Sequence, residues 1–401
     1  MNKMALTLAG LMVLIACKAS PAGHVVLSAA PPCTLVDDGK GNLVSDCTII
    51  APAIVIGTAA TATPSPIPSA TPTSPNIPAG WPTPDAVPTT APMVNTQEFM
   101  RGATFGPYTV AGDGNTLDTN AWRAALSAGD VHVHAGTYLI NGVNNIPTGR
   151  NIQCDTGGAF LDKNLSGDYI FAIGQNTSSV GHNQIIGCEI YGTLATDRSN
   201  NPPCCNYTEG VHINTGNGVH TSQVLLSNLY VHNVGGDGII TYSPCGTKNT
   251  GGPCNNGPPG TEGPSYIWVV NSKVALSGQP NVHVNGGQHI IVQGNTNDDG
   301  SFNPEADSIL QVIGPTWITQ NTVTTTHPGT VPGYGGKGNS ALSCSGDTLL
   351  AEDDSRCYLW GNNFTAPSTL WQPAKTSPNC IFIPGNYSQS LPPGVTLFTG
   401  C

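Results

Sequence analysis

Ile290-Ile291-Val292-Gln293-Gly294-Asn295 and Trp317-Ile318-Thr319-Gln320-Asn321 belong to a set of short apolar runs that end in asparagine. The others are Val224-Leu225-Leu226-Ser227-Asn228, Ile267-Trp268-Val269-Val270-Asn271 and Tyr358-Leu359-Trp360-Gly361-Asn362. The shortest spacings are 24 residues, Asn271 to Asn295, and 26 residues, Asn295 to Asn321; Pro/Gly-rich insertions lengthen the rest. A period in the twenties carried by short strands is a solenoid pattern, because no single repeat can bury its apolar face without a neighbour. The expected fold is all-β, a single-stranded parallel β-helix. Asparagine tolerates the left-handed bend between two strands, and its amide can bond to an amide one coil away. Ile152-Gln153-Cys154 and Ile185-Ile186-Gly187-Cys188 place cysteines at the same point of two earlier coils. Stacked strands are separated by about 4.8 Å, within the Cα spacing a disulfide tolerates, so Cys154 is expected to pair with Cys188.

Working outward from the asparagine turn, a further strand of each coil starts at Asp168-Tyr169-Ile170, Glu209-Gly210-Val211-His212-Ile213, Asp237-Gly238-Ile239-Ile240, Pro280-Asn281-Val282-His283-Val284 and Asp307-Ser308-Ile309-Leu310. Four of these five starts are carboxylates. Alternation along a strand turns Val211, Ile213, Ile239, Val282, Val284 and Ile309 inward and His212, Ile240, His283 and Leu310 outward on one sheet. Stacked acids repel, so they titrate unequally unless a cation, water or substrate separates them, and an acid held protonated is what general acid catalysis needs. The candidate catalytic residues are Asp237, Asp307, Asp299, Glu209, His212 and His283. The same acids could instead cap bends by accepting backbone N–H bonds. Insertions at 194–207, with Cys204 and Cys205, and 243–264, with Cys245 and Cys254, border this face. Pairing within or between these loops would make them walls of a groove. A third insertion, 297–305, carries Asp298, Asp299 and Glu305, oxygen ligands that could bind Ca²⁺ or form a solvated turn. No cofactor is required by the sequence.

Before these coils lies Gly112-Asp113-Gly114-Asn115-Thr116-Leu117-Asp118-Thr119-Asn120-Ala121-Trp122-Arg123-Ala124-Ala125-Leu126. It predicts a helix capped by Asp118 or Thr119, with Trp122, Ala125 and Leu126 as its apolar stripe. Val131-His132-Val133-His134-Ala135-Gly136-Thr137-Tyr138-Leu139-Ile140 then reads as strand, glycine turn and strand. This segment resembles the entrance of pectate-lyase-like right-handed parallel β-helix proteins, in which a short helix caps the first coil. The resemblance spans roughly residues 98 to 401 and implies polysaccharide as substrate or ligand. The superfamily holds lyases, hydrolases, epimerases, tailspikes and surface proteins without activity, so chemistry must come from the site. Asp237 with Asp307 or Asp299 could serve as the two carboxyls of a glycoside hydrolase. Of the segments usual in polygalacturonases of this fold, only Asp298-Asp299 has a counterpart. The candidate face carries no Arg or Lys, so elimination from a polyuronate would need Ca²⁺ and His212 or His283 as base. The alternative is a non-catalytic surface protein whose groove binds glycan, with Tyr242, Tyr266 and Tyr334 as candidate contacts.

Composition fits an exported protein. The 401 residues carry a formal charge of −11, with 9% charged residues and no Lys/Arg cluster, which excludes nucleic acid and anionic membrane surfaces as partners. Residues 1–16 read as a signal peptide ending in Leu14-Ile15-Ala16-Cys17, which resembles a bacterial lipobox. The only membrane association expected is a lipid on Cys17, placing a tethered monomer at the outer membrane or cell surface; with an ordinary leader it would be secreted or periplasmic. Without Cys17, an even number of the 13 cysteines remains for disulfides. Cys344 with Cys357 and Cys380 with Cys401 are the expected C-terminal pairs. Residues 17–57 form the anchor region, where Cys33 and Cys47 bracket either a small hairpin or an extension of the linker. Residues 58–92, with ten prolines, read as an extended stalk. Residues 93–401 are the β-helix domain.

Overall fold

The computed structural model describes residues 34–37, 43–46, 83–163, 169–174, 180–193, 208–214, 221–242, 264–300, 308–313, 316–324, 340–345, 357–365 and 369–371. The chain divides into two compact units, Met1–Thr61 and Ala62–Cys401. The first contains an antiparallel hairpin, Thr34–Asp37 with Leu43–Asp46. Cys33, Cys47 and Cys17 lie outside the described residues.

The second unit is a parallel β-helix. Three parallel sheets run along it, of nine, nine and eight strands among the described residues, and each strand pairs with its counterpart one coil before and after. A representative coil passes through Ser265–Val270 in the first sheet, Lys273–Ala275 in the second and Val282–Asn285 in the third. The next repeats this with Gln288–Gln293 and Thr296–Asp298. Alternation divides each strand between core and surface. Ile267, Val269, Val274, Val282 and Val284 are buried in the interior, alongside Ile290 and Val292 of the following coil.

In the first coils a cluster of aromatic side chains joins Val and Ile in the core. Trp122, from the helix Thr119–Ala128, packs against Phe99, Phe160 and Phe171 at centroid distances of 5.3, 4.6 and 5.6 Å. Its stripe is the expected one: Trp122, Ala125 and Leu126 are all buried. Asp118 is the N-cap residue, but its carboxylate makes no cap bond. It accepts instead from the backbone N–H groups of Ala111 (2.6 Å) and Gly112 (3.1 Å). Thr119 Oγ1 likewise serves another segment, accepting from Asn141 N–H at 2.9 Å. The helix is therefore held by burial of one face, and its cap residues fasten the chain on either side.

The asparagine column exists, displaced by one residue from the sequence alignment. Asn228 and Asn271 do not stand with Asn295 and Asn321. They occupy the left-handed corner, with φ of 54° and 51°, in register with Gly294, Gln320 and Gly361. The following residue forms the ladder: Ser272 N–H donates to Asn295 Oδ1 (2.8 Å), Asn295 N–H to Asn321 Oδ1 (3.0 Å), and Asn321 N–H to Asn362 Oδ1 (2.9 Å). Leu229 precedes Ser272 in that position, and its N–H donates to Ser272 Oγ at 3.1 Å. Both positions favour asparagine, one for its left-handed backbone and the other for its amide, which is why a pattern ending in Asn merged them. Cys188, after Gly187, stands at the same ladder position one coil earlier, and it is disulfide-bonded to Cys154 at a Cα separation of 4.9 Å.

The end of the proline-rich segment lies along the outer face of the first sheet. Ala91 N–H donates to Gln184 Oε1 (2.9 Å), Val87 packs against an apolar column that includes Leu225, Trp268 and Ile291, and Asp85 contacts His289 Nδ1 at 2.7 Å. Six residues of extended chain cover roughly 19 Å, enough to climb the three strand spacings from Gln184 to His289 at about 4.8 Å each. No helix among the described residues is long and apolar enough to cross a membrane.

Candidate active site

The register of the third sheet decides which acids meet. Tyr169 pairs with Glu209, Val211 with Ile239, Ile239 with Val282, and Val282 with Leu310. The column at the strand starts is therefore Tyr169, Glu209, Asp237, Pro280 and Ser308. Carboxylates fill two adjacent positions, where the sequence alignment expected four. Asp168 precedes its column position by one residue, and it lies outside the described residues together with Asp307 and Glu305. Leu310, expected to stand with His283, is instead in register with Val282, and Gln311 is in register with His283. Short strands of alternating composition allow such a slip, since one residue exchanges the faces.

Glu209, His212, Asp237 and His283 come together on the outer face of this sheet. The strand Glu209–Asn214 turns His212 outward, in register with Ile240 and then His283. Glu209 reaches back along its own strand to His212 Nδ1. Asp237 Oδ2 contacts His283 Nδ1 at 3.3 Å across one coil. Tyr169 stacks on His212 at 4.0 Å, and the Tyr242 ring lies 5.9 Å from it. The side chains of His212 and Asp237 are 4% exposed and those of Glu209 and His283 13%. This burial raises the Glu209 carboxyl above its ordinary range; the hydrogen bond and charge of His212 oppose the rise, and Asp237 adds to it. His212 Nε2, His283 Nε2 and Asp237 Oδ1 are buried without a hydrogen-bond partner among the described residues. Buried polar atoms are nearly always partnered, so three on one face mark a network that an ordered water or a ligand group would complete.

Glycines admit this arrangement. A Cβ on Gly238 would stand 2.4 Å from Val274 Cγ1 and 2.5 Å from Asn281 O. One on Gly210 would meet Gly238 O and Val231 Cγ1, each at 2.4 Å. The residue after each site carboxylate is thus pressed against its neighbouring coil, which fixes where Glu209 and Asp237 emerge.

Other candidates lie elsewhere. Asp298 is on the second sheet, bound by Thr324 Oγ1 and paired with Lys273 Nζ at 3.3 Å. Asp299 occupies a left-handed corner with φ 41°, in register with Leu276. Among the described residues neither acid joins a cluster of three metal-capable side chains. Tyr266 is on the first sheet, stacked on His289 at 4.4 Å, and Tyr334 lies outside the described residues. Cys204, Cys205, Cys245, Cys254, Cys380 and Cys401 also lie outside them.

No protein-family model matches this chain, and none of the curated proteins does so significantly. Among solved structures, the premature form of bacteriophage phi29 gene product 12 superposes with a TM-score of 0.44 at 11% identity, over 67% of this chain and 33% of that one. The chain thus spans about a third of that phage protein. The A-module of the Azotobacter vinelandii mannuronan C-5 epimerase AlgE4 gives 0.28 at 11%, over 69% and 98% of the two chains. PfbA, a surface adhesin of Streptococcus pneumoniae, gives 0.37 at 13%, over 69% and 82%. At these identities and TM-scores no activity transfers from any of the three.

Sequence reasoning passed over two further groups. Glu189 Oε1 contacts His232 Nε2 at 2.9 Å on the second sheet, with the His232 ring stacked between Tyr191 and Tyr230. On the first sheet Glu98, His132, His134 and Asp155 contact one another. The alternation His132-Val133-His134 was the available signal. Its partners come from the coils on either side and are separated from it by more than twenty residues, so spacing alone does not find them.

Proposed function

We propose that this chain is an exported polysaccharide-active protein that hydrolyses a neutral glycan on the outer face of the third sheet. The observation that carries the reading is the pair of carboxylates, Glu209 and Asp237, on adjacent coils, each against a histidine. Glu209, whose carboxyl burial raises above its ordinary range, serves as general acid toward the glycosidic oxygen, and His212 holds that carboxyl in place. Asp237, oriented by His283, is the carboxylate that attacks the anomeric carbon or activates water. Strand stacking separates the two positions by about 4.8 Å, close to the roughly 5 Å between the carboxyls of retaining glycosidases. Hydrolysis is favoured over elimination because the described third-sheet strands hold no Arg or Lys to neutralise a uronate. The leader and the lipobox-like Leu14-Ile15-Ala16-Cys17 support a surface location.

The deep burial of His212 and Asp237 also supports a second reading, in which the quartet ties three coils together and the face binds glycan without cleaving it. A panel of neutral and acidic glycans, assayed for new reducing ends and for unsaturated uronate, separates the two. Hydrolysis predicts reducing ends without unsaturated products, lost by at least a hundredfold in Glu209→Gln and Asp237→Asn while folding persists. Activity indifferent to both substitutions rejects this site, and retention of glycans without products favours binding alone.

A further inference from the structure

The first three coils place two histidines between two carboxylates on the outer face of the first sheet. Val131 and Val133 are fully buried, so alternation turns His132 outward, and His134 follows on the same side. Glu98 is in register with His132 on the preceding strand. Asp155 follows Cys154, the partner of Val133 on the next strand, and its N–H donates to Val133 O at 2.8 Å. Glu98 Oε2 lies 3.0 Å from His132 Nδ1 and 2.7 Å from His134 Nε2. Asp155 takes the opposite ring nitrogens, with Oδ1 2.9 Å from His132 Nε2 and Oδ2 3.0 Å from His134 Nδ1.

Four nitrogen–oxygen contacts need four ring N–H groups; two neutral imidazoles supply two, so the box is completed either by protonation of both rings or by a cation among the remaining lone pairs. If both protons face Asp155, its two oxygens accept them and fix both tautomers. His132 Nδ1, His134 Nε2 and Glu98 Oε2 then converge as three lone pairs, all within 4.8 Å of one another. Three converging acceptors repel unless a cation lies among them. A carboxylate that accepts the far N–H of a ligating histidine is the usual outer-shell arrangement at metal sites.

We infer that His132, His134 and Glu98 form a binding site for a divalent first-row transition metal such as zinc, with Asp155 orienting both rings. Tetrahedral bonds of about 2.0–2.1 Å place ligand atoms roughly 3.3 Å apart, so the two Glu98 contacts need to open by only a few tenths of an ångström. Three protein ligands leave a coordination position for water or an outside ligand. These side chains are 30–51% exposed, so that position faces solvent. The ion would join the strands Gln97–Phe99 and Val131–Val133 at the start of the solenoid, on a different sheet from the Glu209–Asp237 face. The net charge of −11 favours cation uptake.

The test is calorimetric titration of the chelator-treated full chain with zinc, and with cobalt followed by its visible spectrum. One ion per chain is expected, with a tetrahedral-type cobalt spectrum and a rise in thermal midpoint. His134→Ala and Glu98→Gln should each weaken zinc binding at least tenfold, and Asp155→Asn, acting only through the rings, by about 10–100-fold. Circular dichroism of each variant separates ligand loss from unfolding. Absence of stoichiometric binding, or an affinity unmoved by His134→Ala and Glu98→Gln in folded protein, overturns the site and leaves the box held by protons alone.

Discussion

Asn321 Oδ1 accepts two bonds from Asn295, one from its backbone N–H at 3.0 Å and one from its side-chain Nδ2 at 3.1 Å. Asn321 Nδ2 in turn donates to Val292 O (2.8 Å) and Asn362 Oδ1 (3.0 Å). One buried amide thus satisfies two main-chain groups of the preceding coil and joins the side-chain amide of the next.

Asn321→Ala removes the partner of the buried Asn295 backbone N–H and one of the two bonds of Asn295 Nδ2, which keeps Val269 O; the loss should cost about 1–3 kcal/mol. Its neighbour Gln320 has φ 56° and lies in the corner itself. Gln320→Gly should therefore be neutral or stabilise by up to about 1 kcal/mol, by removing Cβ from a left-handed position. Urea unfolding of both variants checks the assignment of the two columns. Equal destabilisation by both would contradict it.

The Cys154–Cys188 bond spans 34 residues. Cys188→Ser with Cys154→Ser should lower stability by about 2–4 kcal/mol. Peptide mapping of unreduced protein should recover the two cysteines in one cross-linked fragment, and separate free peptides would show that the coil register is wrong here.

Gly238→Ala tests how tightly the Asp237 corner is held. The added methyl must displace Asn281 O or Val274 Cγ1, a clash expected to cost about 1–3 kcal/mol. Because Asp237 is the preceding residue, any hydrolytic activity should fall more than it does in a control of equal stability loss, such as Ile290→Val. Activity falling only in step with stability would separate the glycine from the site.

Glu209 gives stability a direction with pH. Its carboxyl is raised above 4.5, first by burial. The folded chain therefore holds a proton that the unfolded chain releases, and its contribution is full below about 4.5 and lost as pH rises through the folded value. Urea midpoints from pH 4 upward should fall more steeply for the parent than for Glu209→Gln. If the chain is a hydrolase with Glu209 as acid, the alkaline limb of its pH profile reports the same group. Parallel pH curves for the two proteins would remove the protonated Glu209 from the account.

The coil repeat was legible because every coil needs the same inward pattern, as in Ile267 with Val269 and Ile290 with Val292. The Cys154–Cys188 pair was legible because the two cysteines recur within one residue of the same point of that repeat, Cys154 standing in register with Gly187. His212 and His283 were placed on one face by alternation alone. The third-sheet acids were harder. Strand starts adjoin loops of unequal length, so Asp168 was aligned with Glu209 where Tyr169 stands, and Asp298 was given to a loop although it ends the second-sheet strand Thr296–Asp298. The box around His132 and His134 needed three coils to be superposed before its carboxylates appeared.

Residue order along the chain determined that this protein is a stack of β-coils, since hydrophobic periodicity is local and survives errors of a residue or two. Only the stacked structure decided which side chains share a column. That depends on register, where a one-residue shift carries negligible local signal yet moves a carboxylate onto or off its histidine. Asp237 meeting His283, the Glu209–His212 pair standing beside them, and Glu98 and Asp155 enclosing two rings are products of that vertical alignment.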